Sequence, residues 1–359
     1  MWKNNWEETK SHFIDWWNHE GLVIGMWGAP PCEDAPHEDT KAPPDAVCVR
    51  DGYVDAKLRA QQNHHRLARR SFPADVLPFA DTGIGPGSLA LYLGSEPRFV
   101  PDTVWFEPCI QDCKNPEDLP PLQFDESNEW WRVTEATLRA CAELGRNKYL
   151  VPCPDLVENV DILASLREPQ TLLMDMIERP EWVEQKVKEI NHVWFEAYQR
   201  IYDIIKLPDG SCSFGAFRLW GPGTTAKLQC DASAMFSPEM FRRFVMPGLT
   251  EQCRWLDNSM YHLDGTQAMC HLDSLLGIQE LDAIEWTPQA GIEGGGDSRW
   301  FEMYRRILGA GKSLQVVHID HTQVVPLLDV IGGKGVYIMT DFSTAKEAEE
   351  LFTKVEQYR

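Results

Sequence analysis

Strand-like and helix-like segments alternate through the last third of this chain, and this alternation limits the fold more than any other sequence feature. Short apolar runs predict strands at 259–263, 281–286, 313–319 and 335–340. Amphipathic segments predict helices at 237–256, 268–276, 298–309, 323–331 and 344–357. We expect Ser343 to cap the last helix. Units at this spacing are typical of parallel βα repeats.

The first two thirds of the chain add further strands and helices. An amphipathic helix is predicted over residues 3–19, and other helices at 53–70, 126–144 and 157–206. Further strands are predicted at 22–27, 76–81, 149–152, 214–220 and 226–231, with two short ones between 90 and 108. About eight strands in a ring favour a (β/α)₈ TIM barrel. Residues 1–20 would then form an N-terminal helical extension and residues 21–359 a single barrel domain.

An open doubly wound sheet is the alternative fold. No G-x-G-x-x-G motif follows a predicted strand, which weakens a dinucleotide-binding interpretation. The run Gly294–Gly296 lies in a predicted loop and indicates a flexible lid rather than a phosphate cradle.

Polar side chains end four successive predicted strands. Residues i and i+2 of a strand point to the same face, and the carboxyl ends of parallel strands in a barrel face one mouth. We therefore expect these side chains to converge. They are His262, Asp264, Glu285, His318, Asp320, His321 and Asp341.

Four of these groups form a predicted metal site, which consists of His262, Asp264, Glu285 and Asp341. One imidazole and three carboxylates suit a divalent ion, with zinc foremost and manganese or iron as alternatives. The competing interpretation is that the carboxylates only accept hydrogen bonds from barrel loops.

The remaining strand-end groups suggest acid/base and substrate-binding roles. A histidine held by a carboxylate can act as a general base, so His318 and Asp320 are predicted to be catalytic, together with Asp81 beside a glycine-rich turn. A satisfied core histidine and a turn-capping aspartate are the alternatives. The predicted substrate-binding residues are Trp27, Trp220, Arg218 and His321.

The amino-acid composition limits the kinds of partner and the cellular location that we expect for this protein. The formal net charge is −21, with 55 acidic and 34 basic residues, which argues against nucleic acid and anionic membranes as partners. None of the ten cysteines forms C-x-x-C, so we expect reduced, buried thiols. The N-terminus lacks a secretory apolar region, and no run of 18 apolar residues occurs. We expect a cytoplasmic protein that binds a small molecule, and the N-terminal tryptophans could form a homodimer interface.

Several segments resemble the uroporphyrinogen decarboxylase superfamily, which includes zinc-dependent methyltransferases that serve corrinoid proteins. The run 228–241 resembles the strand-to-helix junction that carries Ser-Pro-Glu, and Tyr261–Gly265 resembles the methyltransferases' His-x-Cys-Gly. Val317–Asp320 resembles Gly-Asn-Leu-Asp, and the strand through Asp341 resembles the one that delivers the last zinc-ligand cysteine. The resemblance extends from about Leu22 to the C-terminus. It implies a (β/α)₈ barrel with its active site at the carboxyl mouth.

The departures from the family pattern bear on function. The decarboxylases carry arginines after the first strand, where this chain has Met26–Pro31 and no arginine before Arg50. A porphyrinogen substrate would therefore lack its usual cationic partners. The methyltransferases hold zinc with one histidine and two cysteines, and here Asp264 and Asp341 stand at the cysteine positions. Two carboxylates would make a harder metal site.

Three functional hypotheses follow. The first is a metal-dependent methyltransferase acting with a corrinoid protein or a small methylated substrate. The second is a metal-independent decarboxylase or lyase on a small carboxylic or porphyrinogen-like acid, with Asp81 and His318 as the acid/base pair and Arg218 as the carboxylate partner. The third is a non-catalytic binding module, which the convergence of many reactive side chains at one mouth disfavours.

Overall fold

Six strands of this protein are buried on both faces along most of their length, and they bury polar side chains such as Lys227, Glu285 and Gln315 together with apolar ones. The computed structural model describes residues 1–32, 35–100, 103–342 and 344–359. In this part of the chain, ten strands form. They are β1 (Leu22–Gly25), β2 (Glu96–Val100), β3 (Thr103–Glu107), β4 (Cys212–Phe214), β5 (Leu219–Gly221), β6 (Thr225–Gln229), β7 (Asn258–Asp264), β8 (Ala283–Thr287), β9 (Ser313–Val316) and β10 (Val336–Met339).

Helices separate most of these strands. Those in the described residues are α1 (Trp6–Trp17), α2 (Val49–Val54), α3 (Ala56–Leu67), α4 (Ser88–Tyr92), α5 (Glu129–Gly145), α6 (Asn159–Arg167), α7 (Pro169–Glu178), α8 (Pro180–Ile205), α9 (Pro238–Phe244), α10 (Met246–Trp255), α11 (Gly265–Ala268), α12 (Leu272–Leu276), α13 (Phe301–Gly309), α14 (His321–Ile331) and α15 (Ala345–Val355). Thr344 caps α15 by accepting from the Glu347 N–H. The predicted cap Ser343 lies outside the described residues.

The main sheet has the order β1-β10-β9-β8-β7-β6, and all of its neighbours are parallel. The helices between consecutive strands from β6 onward are those expected of βα repeats. The α/β fold with a parallel sheet, as the sequence predicts, is therefore confirmed.

The chain between β1 and β6 follows the sequence-based expectation less closely. The predicted strands at 76–81 and 149–152 meet only at a single parallel bridge between Phe79 and Leu150. The predicted strand at 214–220 is wrong, since β4 and β5 pair antiparallel across a tight turn. Phe217 and Arg218 occupy this turn with φ angles of 57° and 54°. Such left-handed backbone cannot continue a strand.

Helix α1 packs against the amino end of the sheet through tryptophans. Trp16 is fully buried, and its indole N–H donates to the Leu314 carbonyl at 3.3 Å. The Trp17 indole donates to the Trp220 carbonyl at 2.9 Å. Trp220 itself is 2% exposed, and its ring contacts Phe13 of α1. The structure thus places Trp220 under α1, away from the carboxyl ends of the strands where a substrate-lining role was predicted.

Five of the ten cysteines are buried, so the sequence-based expectation of buried thiols holds for half of them. The buried ones are Cys141, Cys153, Cys212, Cys230 and Cys253. Within the described residues, no helix combines the length and the apolar character needed to cross a bilayer.

We expect the free energy of unfolding to fall as the pH rises from 9 to 11. Burial raises the thiol pKa from 9.0 to about 11 for Cys141 and Cys212 and to about 12 for Cys253. Because these folded-state values lie above the unfolded value, the stabilisation is complete below pH 9 and is lost as the pH rises through them. Each thiol contributes a slope of about 1.4 kcal/mol per pH unit within this window.

Urea unfolding under reducing conditions at several pH values measures this slope. Cys253→Ala should make the slope shallower, whereas replacement of the exposed Cys48 by alanine should leave it unchanged. Identical slopes for the wild type and Cys253→Ala would contradict the prediction.

Candidate functional site

A row of polar side chains crosses four neighbouring strands near their carboxyl ends. The register pairs Gln229 with His262, His262 with Glu285, and Glu285 with Gln315. Directly paired residues of a parallel sheet point to the same face. These four side chains therefore lie side by side on one face of the sheet.

His262 and Glu285 form the closest pair in this row. The His262 Nδ1 contacts Glu285 Oε2, and the other Glu285 oxygen accepts from the Thr287 hydroxyl at 2.7 Å. The Glu285 side chain is fully buried, while that of His262 is 10% exposed. Desolvation lowers the pKa of His262, but the adjacent carboxylate outweighs it, so the net shift is upward. The pair fixes the imidazole with Nε2 turned away from Glu285.

Two further carboxylates face the free side of this imidazole. The Nε2 atom of His262 lies 4.0 Å from Asp231 Oδ1. One ligand-type atom each from Asp231, His262 and Asp264 lies within 4.8 Å of the other two. Burial and repulsion from Asp161 raise the pKa of Asp231 to about 6. One imidazole and two mutually repelling carboxylates at this spacing fit a divalent cation such as zinc.

Asp161 holds the backbone that carries Asp231. Its carboxylate accepts from the N–H groups of Asp231 at 2.7 Å and Ala232 at 2.9 Å. The Gln229 side-chain amide donates to Asp231 Oδ2 at 2.8 Å. The segment that follows β6 is therefore anchored from α6, and Asp231 is held opposite His262.

The other predicted metal and acid/base residues lie outside the group of Asp231, His262 and Asp264. Glu285 contacts His262 from behind, and Asp341 is exposed and outside the group of three that the described residues form. Asp320 caps α14 by accepting from the Thr322 N–H at 2.8 Å, in a capping box. His321 is exposed beside it, with its ring 6.0 Å from that of Phe342.

His318 is exposed, and its backbone is in the left-handed region with a φ of 52°. Its carbonyl accepts from the Gly295 N–H at 3.0 Å. A Cβ on Gly294 would come within 2.3 Å of this carbonyl oxygen. The glycine run thus packs closely against the turn after β9. The sequence had instead indicated a flexible lid.

A cleft of about 570 Å³ opens beside the turn between β4 and β5, and Asp231, His262 and Asp264 do not line it. Its walls come from the segments that follow β1, residues 78–80, residues 149–151 and β4, and they include Trp27, Asp81, Asp155 and Arg218. The Arg218 guanidinium donates to the Trp27 carbonyl at 3.0 Å. The structure therefore brings together three of the predicted residues, Trp27, Asp81 and Arg218, in one cleft. A cavity of this size suits a small organic ligand.

The strained turn between β4 and β5 connects the cleft to the metal-type group. The Phe217 ring lies 4.6 Å from the His262 ring, centroid to centroid, and Arg218 lines the cleft. Gln315 donates to the Phe217 carbonyl at 2.9 Å, and the Tyr337 hydroxyl donates to the Arg218 carbonyl at 3.1 Å. Backbone strain of this kind persists only where surrounding contacts impose it, often at functional sites.

A buried lysine forms a second connection. Lys227 is fully buried, and its ammonium lies 2.8 Å from Asp155 Oδ1. It also contacts the side-chain oxygen of Gln229, and the side-chain N–H of Gln229 donates to Asp231. The charge of Asp155 on the cleft wall is thus compensated from the side of the metal-type group.

Sequence reasoning missed several of these residues. Asp231 follows β6 directly, so the same strand-end rule that identified His262 and Glu285 could have included it. Arg66 projects from α3 toward the cleft, and Phe217 lies in the unforeseen turn. Neither position has a local sequence signal, because each depends on how distant segments meet.

No family model and no curated protein sequence matches this chain. Among solved structures, it is similar to a methyltransferase from Methanosarcina mazei. The two superpose with a TM-score of 0.62 over 98% of each chain, at 10% sequence identity. At this identity the likeness establishes a shared fold.

Proposed function

We propose that this protein is a methyltransferase of the uroporphyrinogen decarboxylase superfamily, and that Asp231, His262 and Asp264 hold a divalent metal ion, foremost zinc. The single observation that carries the proposal is the convergence of these three side chains, with His262 oriented by the buried Glu285. The full-length likeness to a methyltransferase fold and the resemblance of the sequence to the superfamily support it.

The proposal includes a closed (β/α)₈ barrel. The Asp75 N–H donates to the Ile24 carbonyl of β1 at 3.1 Å, which joins β1 to the segment that leads to Phe79. Phe79 bridges to Leu150, and Cys153 bridges to Phe214 of β4. These links follow in order from β1 toward β6, so they support closure of the ring and a common carboxyl mouth.

Each residue of the site has a role in this proposal. Glu285 fixes the tautomer and orientation of His262, as carboxylates commonly do behind metal-bound imidazoles. Phe217 covers the His262 ring and limits the access of water. Asp161 positions Asp231 through the backbone. A bound divalent ion would act as a Lewis acid on the nucleophilic atom of the methyl acceptor.

The methyl donor would be a corrinoid carried by a partner protein, or a small methylated compound. A methylcorrinoid would supply the methyl group to the acceptor atom, and the cobalt would keep the electron pair of the cobalt–carbon bond. The proton of the acceptor leaves to solvent. Reaction in the cytoplasm is part of this proposal and rests on the sequence-based expectation.

A metal-independent decarboxylase or lyase is the second candidate. The presence of Arg66 and Arg218 in the cleft favours it, because arginine binds substrate carboxylates well. Its predicted acid/base pair is less well placed, since Asp81 is paired with Arg59 and His318 is exposed. We therefore favour methyl transfer.

Elemental analysis of purified protein tests the metal site. We expect about one equivalent of divalent metal in the wild type and a large loss in His262→Ala, because the imidazole supplies the only nitrogen among the three ligands. His321→Ala is the matched control, since this histidine is exposed and lies outside the group of three metal-type residues. Equal metal content in the wild type and both variants would refute the site.

Free methylcobalamin with a thiol acceptor tests the reaction. Loss of the methyl group from cobalt, followed by absorbance, should be accelerated by the zinc-loaded wild type and should fall by about 10²-fold or more in His262→Ala. If the protein binds metal but does not accelerate demethylation of methylcobalamin with any of a range of thiols, the metal site would be supported and methyl transfer to thiols would be contradicted.

Asp161→Ala tests whether Asp231 is a ligand. The substitution removes the acceptor that holds the Asp231 backbone, so zinc affinity should fall by about 10- to 100-fold, as is common when the support of a ligand is lost. Competition with a chromophoric chelator measures this affinity. Asp203→Ala on the surface of α8 is the control, and unchanged affinity in Asp161→Ala would argue that His262 and Asp264 bind without Asp231.

A further inference from the structure

The cleft wall carries two arginines and two aspartates, but both aspartates have direct cationic partners outside the wall. Its charged wall residues are Arg66, Asp81, Asp155 and Arg218. Each carboxylate already has a cation: Asp81 lies 3.3 Å from the Arg59 guanidinium, and Asp155 lies 2.8 Å from the Lys227 ammonium. Two positive charges therefore remain on the wall of the cleft.

The two arginines donate only to neutral acceptors. Arg66 donates to Asn63 Oδ1 at 2.9 Å and to the Phe79 carbonyl at 3.1 Å, and Arg218 donates to the Trp27 carbonyl at 3.0 Å. Across the described ranges, neither guanidinium has a carboxylate oxygen within 4.0 Å. This is unusual in a chain of net charge −21, where acidic residues are abundant. A guanidinium has five N–H donors, so both retain donors for a ligand.

The two cations also act on each other. Desolvation lowers the pKa of Arg66, the Asp81 carboxylate partly offsets this effect, and the nearby charge of Arg218 lowers the pKa again. Two like charges held in one partly desolvated cleft cost free energy unless an anion is shared between them. Planar guanidinium groups match the geometry of carboxylate, sulfonate and phosphate oxygens.

The fold directs such an anion toward the reacting centre. Arg218 follows Phe217 in the strained turn, and Phe217 contacts the His262 ring. Trp27 and Tyr53 provide aromatic surface on the same cleft. A molecule whose anionic end lies against Arg218 would therefore lie next to the turn that also carries Phe217 against His262.

We propose that this cleft binds the anionic end of a small substrate through Arg66 and Arg218, and that the substrate is an organic acid with an apolar or aromatic body. The identification of this acid as the methyl acceptor or donor rests on the proposed function. The binding of an anion by the two arginines does not depend on the metal.

Titration calorimetry with three simple probes tests the site. The probes are glutarate, ethanesulfonate and inorganic phosphate, with the neutral propionamide as the negative control. At least one anion should bind the wild type, and Arg66→Gln and Arg218→Gln should each weaken it by about tenfold or more, as expected for the loss of a charge-assisted bidentate contact. The preferred probe distinguishes carboxylate, sulfonate and phosphate as the recognised group.

Three controls make the result decisive. Arg243→Gln changes an exposed arginine paired with Glu184, so it should bind the anion like the wild type. Arg218→Lys keeps the charge and should give intermediate affinity, which also reports whether the turn still folds. His262→Ala should retain anion binding, so failure of the metal proposal can be distinguished from failure of the anion-binding proposal. The absence of binding by all probes, or equal binding by the wild type and both glutamine variants, would overturn the inference.

Discussion

The parallel register of β6, β7, β8 and β9 is the constraint on which the site depends. It sets His262 directly beside Glu285 and both beside Gln229 and Gln315. A shift of one residue in any pairing would turn a strand's polar side chains to the opposite face. The apolar residues that alternate with them are fully buried, as Leu228, Tyr261 and Ile284 illustrate. Core packing therefore secures the register that assembles the polar row.

The polar row costs stability unless its members are paired, and the structure pairs them closely. Burial raises the pKa of Glu285, and contact with His262 counteracts the effect. Gln315 holds the strained turn by donating to the Phe217 carbonyl, and Gln229 holds Asp231. The same hydrogen bonds that satisfy the buried groups thus fix the positions of Phe217 and Asp231. Stability and site geometry depend on one network.

The sequence predicted the βα alternation and the side chains near the ends of β7 and β8, because both follow from periodicity within single segments. It could not predict which strand ends meet. His262 and Asp264 have Asp231 as their neighbour, while Asp341 is exposed. The turn at Phe217 and Arg218 could not be predicted either, because an apolar run gives no signal for non-glycine residues with positive φ. Distant contacts with Gln315 and Tyr337 impose it.

The two ends of the site carry opposite charge, and this has a consequence for the substrate. Asp231 and Asp264 make one end negative, and Arg66 and Arg218 make the other positive. Phe217 lies between them against His262. A divalent ion at the negative end would leave that end close to neutral, while the two arginines would still attract an anion. A substrate with one anionic end would therefore enter in a single orientation, with its uncharged nucleophilic end toward the metal. Carboxylate ligands such as Asp231 and Asp264 would make a bound ion a stronger Lewis acid than thiolate ligands would, because oxygen ligands donate less electron density. In this proposal, recognition of the acid group would take place apart from activation of the reacting atom.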